Sequence, residues 1–356
     1  LVKNKAQTRA RSVRIVALGG GTGLSTILRG LKQYISTRKN ETVPRPISDL
    51  AAVVTVTDDG GSSGRLRREY RVLPPGDIRN CMVALSKDEH LLSKLFQYRF
   101  PLGRGLSGHS FGNLFLTALT NVTGDFPQAV RVSSQVLAIR GRIYPSTAQN
   151  VTLEAELVDG QIVAGETKIS LSKKPIHRIR LVPRRARPVP DVLEAIGEAD
   201  LILIGPGSLY TSIIPNLLIH KVVDAIVTSG ATCIYIANLM TQPGETQNYS
   251  VADHVRAIYD HTRKPIFDFV LVNREPVPPA LLKKYRAQHA VPVQLSLDEL
   301  TRMNVPYITG DFLHRGRVLR HDYSRVAALL LREFVNGGRA KSAKPRKSAA
   351  ARARSR

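Results

Sequence analysis

Apolar runs and apolar periodicities alternate along most of this chain. Ile15–Leu18 is a short continuous apolar run, the pattern of a strand covered on both faces. Leu24, Ile27, Leu28 and Leu31 then recur at helical spacing, so a helix starts directly after the strand. Leu50–Thr57 reads as a second buried strand. A helix carrying Ile78, Met82 and Leu85 follows, with Asp77 as its expected cap. Another begins near Phe111, with Leu114, Phe115 and Ala118 on one face, and 127–138 reads as helix too. The pattern then changes. Val151, Leu153, Ala155 and Leu157 alternate with polar residues, Asp159-Gly160 supplies a hairpin turn, and Arg178–Leu181 alternates again. Helix at Val192–Ile196 and strands at Ala199–Ile204, Cys233–Ala237 and Asp268–Asn273 resume the first rhythm, and Ser324–Phe334 closes it as a helix.

This order predicts an α/β fold: a Rossmann-like, doubly wound, mostly parallel sheet interrupted by a small antiparallel β insertion. The expected divisions are a basic arm at 1–12, core at 13–139, insertion at 140–187, core at 188–335 and a basic tail at 336–356. At 356 residues and 43% hydrophobic content the chain holds a substantial core. Cys81 and Cys233 are too few for a disulfide framework or a metal knuckle and fit a reducing compartment. The longest uncharged stretch, Leu201–Ile219, is broken by Gly205-Pro206-Gly207 and Pro215, so no membrane span is expected.

Net charge is +24, but thirteen cations fall in residues 1–14 and 337–356, which carry no acid. Such ends read as unfolded, solubilising segments with weak electrostatic contact to acidic partners or nucleic acid.

The candidate chemistry sits after the strands, where open α/β sheets bind ligands. Gly19, Gly20, Gly21, Thr22, Gly23 and Leu24 form a glycine-rich turn opening a helix, a phosphate cradle by geometry. It is no Walker loop, and Leu24 holds the third glycine position of the dinucleotide fingerprint. After the second strand, Asp58, Asp59, Gly60, Ser62, Ser63 and Arg65 offer donors, cations for phosphate, and two carboxylates for a ribose or a hydrated Mg²⁺. Gly76, Asp77, Arg79 and Asn80 follow on a proline-stiffened loop and first helical turn. His109 and Asn113, four apart at a helix start, either face a ligand or cap and pack. The Gly108–Gly112 stretch matches the G-x-S-x-G of serine hydrolases, but loop rather than strand precedes it, so no nucleophile elbow is expected. Gly205, Pro206, Gly207 and Ser208 form a third such loop. Asn238, Thr241, Gln242 and Glu245 belong to a fourth.

Taken in this order, the loops resemble the gluconeogenesis factor family (YvcK-like proteins), in a superfamily with the 2-phospho-L-lactate transferases (CofD-like). The resemblance spans about residues 13–335. It implies a cytoplasmic bacterial protein that binds a UDP-sugar such as UDP-N-acetylglucosamine and acts in cell shape and wall-precursor control on gluconeogenic carbon sources. In that reading the glycine-rich turn holds the diphosphate, Asp58 or Asp59 the ribose or a metal, and the loops at 205–212 and 238–246 the uracil and sugar. The transferase relatives imply an alternative. There, Asp58, Asp59 and Asp77 position Mg²⁺ and the attacking group, and Arg65 and Arg79 offset developing charge. A dinucleotide such as NAD is a further candidate for the cleft, without a hydride-transfer constellation. A homo-oligomer is the expected assembly.

Overall fold

The computed structural model describes residues 12–36, 46–87, 91–172, 174–314 and 316–336. The basic arm and tail lie outside these residues, apart from the arm's last residue and the tail's first.

Seven strands make the core sheet: β1 (Val13–Gly19), β2 (Ile47–Val54), β3 (Arg142–Pro145), β7 (Leu201–Ile204), β8 (Thr232–Ile236), β9 (Phe269–Asn273) and β10 (Tyr307–Gly310). Their spatial order is β10-β9-β8-β7-β1-β2-β3, and every pairing is parallel. The order reverses between β1 and β7, where the chain leaves the two strands in opposite directions across the sheet. Burial on both faces explains the apolar runs: β7 reads Leu-Ile-Leu-Ile, all buried, and Ile15–Leu18 has at most 1% exposure. Helices cover the sheet. The Gly21–Leu31 helix buries Leu24, Ile27, Leu28 and Leu31, the face its spacing predicts. Arg14 donates through its backbone N–H and its Nε to Asp200 Oδ2, at 2.9 and 3.2 Å, fixing the start of β1 beside β7.

The second sheet has three antiparallel strands in the order β5-β4-β6: β4 (Thr152–Leu157), β5 (Ile162–Ala164) and β6 (Ile176–Val182). The expected insertion limits of 140–187 therefore need correction. Arg142–Pro145 belongs to the core as its edge strand, parallel to β2, and the small sheet occupies 152–182. A four-residue edge strand followed by an alternating hairpin carries too little pattern to separate the two. Beyond Ala164 the chain leaves the hairpin: Gly165 takes φ +99° and a one-turn helix, Glu166–Ser170, follows.

Candidate functional site

The site is built at the β1/β7 reversal. Gly20 is extended at φ −160° and Gly21 turns into the left-handed region at φ +58°, so the chain swings from strand into helix within two residues. A Cβ on Gly23 would stand 2.2 Å from the Pro206 carbonyl oxygen, and one on Gly20 would stand 2.7 Å from both Asp77 Oδ2 and Thr55 Cγ2. The turns after β1 and β7 are thus in direct backbone contact, with the loop after β2 closing from the side. Asn216 ties the same corner from beneath, donating from Nδ2 to the carbonyls of Gly19 (2.9 Å) and Ser212 (2.8 Å). Asn238, after β8, fixes the second turn: Gly207 N–H donates to its Oδ1 (3.3 Å) and its Nδ2 donates to Gly207 O (2.8 Å). Gln242 donates to Ser208 Oγ at 2.8 Å, which leaves its buried Oε1 without a partner.

These turns bound a cleft of about 450 Å³. Gly20–Gly23 and Thr26 line one wall, Pro206–Ser208 and Ser212 the next, and Asn238 and Gln242 a third. Tyr285 and Val318–His321 complete it from the far end of the chain. Arg320 is exposed at this wall. Buried His321 is held well below the usual imidazole range, at about 4, by desolvation. It is therefore neutral and donates from Nε2 to Ala237 O, 3.2 Å away.

Beside the cleft lies an acidic group. Asp77 accepts a hydrogen bond from the Gly21 N–H, and its carboxyl is pushed up to about 7 by desolvation and by the charge of Asp58. Glu166, from the insertion, is pushed up to about 9 by desolvation and then by Asp58 and Asp77. At neutral pH Glu166 holds the proton that an ordinary carboxyl has lost, and Asp77 is about half protonated. Arg79, at the same helix end as Asp77, donates to Ser110 Oγ (2.5 Å) and Asn80 Oδ1 (2.8 Å) and keeps a buried Nε unpaired.

A third group surrounds Ser62. Its hydroxyl lies 2.9 Å from His109 Nδ1 and accepts from Asn113 Nδ2 at 3.1 Å. All three residues are buried. Desolvation, then Arg65, lowers the His109 pKa, favouring the neutral ring. Arg65 itself donates to Ser107 O at 2.7 Å. Ser110 caps the Phe111–Thr123 helix by accepting from Asn113 N–H, with no strand before it, so G-x-S-x-G is a helix start and not a nucleophile elbow.

Several expected contacts move. Asp77 does not cap its helix, whose N-cap is Pro75; the carboxylate turns across to Gly21 instead. Leu24 is fully buried in the core, and Gly19 ends β1 with its carbonyl taken by Thr55 N–H and Asn216. Thr241 is buried, its hydroxyl accepting from Val291 N–H. Glu245 is 4% exposed and accepts from Tyr210 N–H, Thr211 Oγ1 and Ser170 Oγ, so it braces the wall. Asp59 accepts from both Thr167 N–H (2.9 Å) and Thr167 Oγ1 (2.7 Å) through one oxygen. A Cβ on Gly165 would stand 2.3 Å from the other oxygen. Asp59 is thus a clasp for the insertion. Among the described residues no three His, Cys, Asp or Glu side chains gather to hold a metal ion. Asp58 accepts from Gly60 N–H at 2.9 Å, and Gly76 lies against Asp58 and Ser63, where a Cβ would meet Ser63 Oγ at 2.5 Å.

Thr26, Glu166, Tyr285 and Arg320 escaped the sequence reading. Glu166 sits in what reads as a strand, and only the break at Gly165 marks a change of structure.

The model of the 2-phospho-L-lactate transferase CofD family matches residues 15–313. A gluconeogenesis factor of Bacillus subtilis is 47% identical over 319 residues, 89% of this chain and 97% of that protein. The chain belongs to the gluconeogenesis factor family. A second member, from Halalkalibacterium halodurans, is 46% identical over 89% of this chain and 95% of its own length. The fold agrees as well. A crystal structure of a UPF0052-family protein from Bacillus halodurans superposes with a TM-score of 0.85 at 45% identity, over 90% of this chain and 99% of that one. The family match extends through all four loops described above.

Proposed function

We propose that this gluconeogenesis factor is a cytoplasmic regulatory protein that binds a nucleotide sugar of the UDP-N-acetylglucosamine type and acts in cell shape and wall-precursor control. The observation that carries the reading is the direct contact between the Gly20–Gly23 and Pro206–Ser208 turns. It sets the first turn of the Gly21–Leu31 helix in the wall of a cleft sized for a small-molecule ligand. A diphosphate fits against the first turn, with Arg320 to offset its charge. The unpaired Gln242 Oε1 suits an N–H donor on a base or an acetamido group. Calorimetry with UDP-N-acetylglucosamine tests this directly. Saturable heat that UDP competes away is expected, and Arg320→Ala should weaken binding about tenfold, the loss typical of one charge-assisted contact. Absence of heat, or no competition by UDP, overturns the reading.

The family model's name supports a second reading, a transferase forming a phosphodiester from a nucleotide-activated donor. The raised pKa of Asp77, on the same helical turn as Arg79, supports it. In that role Asp77 is placed to take a proton from an attacking group and Arg79 to face the charge that develops. Release of nucleoside monophosphate from such a donor, lost in Asp77→Ala, separates it from a pure binder.

A further inference from the structure

Residues 91–106 carry an apolar surface that the proposed site does not use. Leu91 and Leu95 lie one turn apart on the Leu91–Gln97 helix, 73% and 41% exposed. Tyr98 follows, half-exposed, its ring edge-on to Phe100 at 5.2 Å. The chain then forms a closed loop whose ends pair: Phe100 N–H donates to His109 O (2.9 Å) and Gly108 N–H to Phe100 O (2.8 Å). Leu102 at the tip is 81% exposed and Leu106 46%. Five large apolar side chains are thus exposed within sixteen residues.

The charges within this stretch have one sign. Lys94, Arg99 and Arg104 lie within the same sixteen residues, all exposed, with no acid among them. Two copies of the chain meeting through this face by a twofold axis would bring the two sets of cations together, which disfavours self-association. An anionic, apolar-centred surface has the opposite property: headgroups meet the cations while leucines enter the acyl boundary. We infer that the 91–106 helix and loop form a docking surface for an anionic lipid membrane, with Leu102 and Leu106 as the inserting tip.

The position matters because the base of this loop packs against the loop and helix that follow β2. Ser107 O holds Arg65, Gly108 O accepts from Arg99, and His109 lies beneath against Ser62. Docking therefore sets the Ser62–His109 group at the bilayer surface. The inference is independent of which nucleotide, if any, the cleft takes.

The test is sedimentation of the full chain with vesicles of phosphatidylcholine alone and with about 30 mol% phosphatidylglycerol, at low salt and at about 0.5 M salt. The protein should bind the anionic vesicles and keep part of that binding at high salt, because buried leucines are not screened. Leu102→Glu/Leu106→Glu should lower partition about tenfold at an unchanged melting temperature, since both side chains already face solvent. Lys94→Glu/Arg104→Glu should weaken only the low-salt binding. Wild-type behaviour in the leucine variant overturns the inference and assigns binding to the basic ends. Equal binding to neutral vesicles overturns the anionic surface. A wild-type dimer that the leucine variant turns into monomer, without vesicle binding, assigns the face to a second copy.

Discussion

Asp77 shows how a single carboxyl can be tuned by what surrounds it. Its folded pKa lies at about 7, above the unfolded value of 3.8, so between those limits the native state binds the extra proton. Stability contributed by this group is therefore complete at acid pH and falls as pH rises from about 4 to about 7. Glu166 extends the same slope toward about 9 from 4.5. Melting temperature should fall across this range, and Asp77→Asn/Glu166→Gln should flatten the fall. Thermal unfolding from pH 4.5 to 9 checks it; an unchanged slope in the double variant refutes the assignment. Anion affinity should follow the same titration. A phosphate near Gly21 meets a neutral Asp77 below about pH 7 and a charged one above it, so nucleotide binding measured at pH 6 should exceed that at pH 8. The acid was visible in the sequence, but its contact with Gly21 was not. Aspartate before an apolar periodicity reads as a cap, and only the fold brings Gly21 across to it.

At the level of elements, β1, β2, β7, β8 and β9 were legible because their middles are buried on both faces, and the helices because they bury one face, whereas the short, partly exposed edge strands β3 and β10 were not. Apolar runs and 3.6-residue periodicities therefore mark each type. The loops after β1, β2, β7 and β8 were legible for a different reason: glycine, proline and small polar residues concentrate where the backbone must turn and approach another segment. Gly23 is the sharpest case. Gly23→Ala forces a methyl into the Pro206 carbonyl, which is backbone and cannot swing aside. About 3 kcal/mol of destabilisation is expected, read as a lower denaturation midpoint. Gly197→Ala, with open space around it and inside a helix, should be neutral or slightly stabilising. What stayed illegible depends on contacts between distant segments. Glu245 reads as a polar loop residue and becomes a buried brace because Ser170 and Thr211 reach it. The Asp59–Thr167 clasp, 108 residues apart in sequence, has no local signature. Asp59→Ala should leave the core intact while hydrogen exchange quickens over 165–171 and not over β7 or β8.

Across the whole molecule, charge and fold are separable. Eight of the cations behind the net +24 lie in residues 337–356 with no acid beside them, outside the described residues. Deleting that segment should leave the melting temperature within about a degree while weakening nonspecific DNA binding, most strongly at low salt. A large drop in melting temperature would show that the tail packs on the core. Among the described residues no single helix is long and apolar enough to cross a membrane.

The one-turn helix Glu166–Ser170 has a consequence of its own. It grips the first half of the core through Asp59 and the second half through Glu245, so it spans the seam where the halves meet. Any occupant that pries those halves apart, or draws them together, must pull on this strap. A fluorophore pair reporting on its two anchor points would then serve as a gauge of occupancy even for a molecule that is never chemically altered.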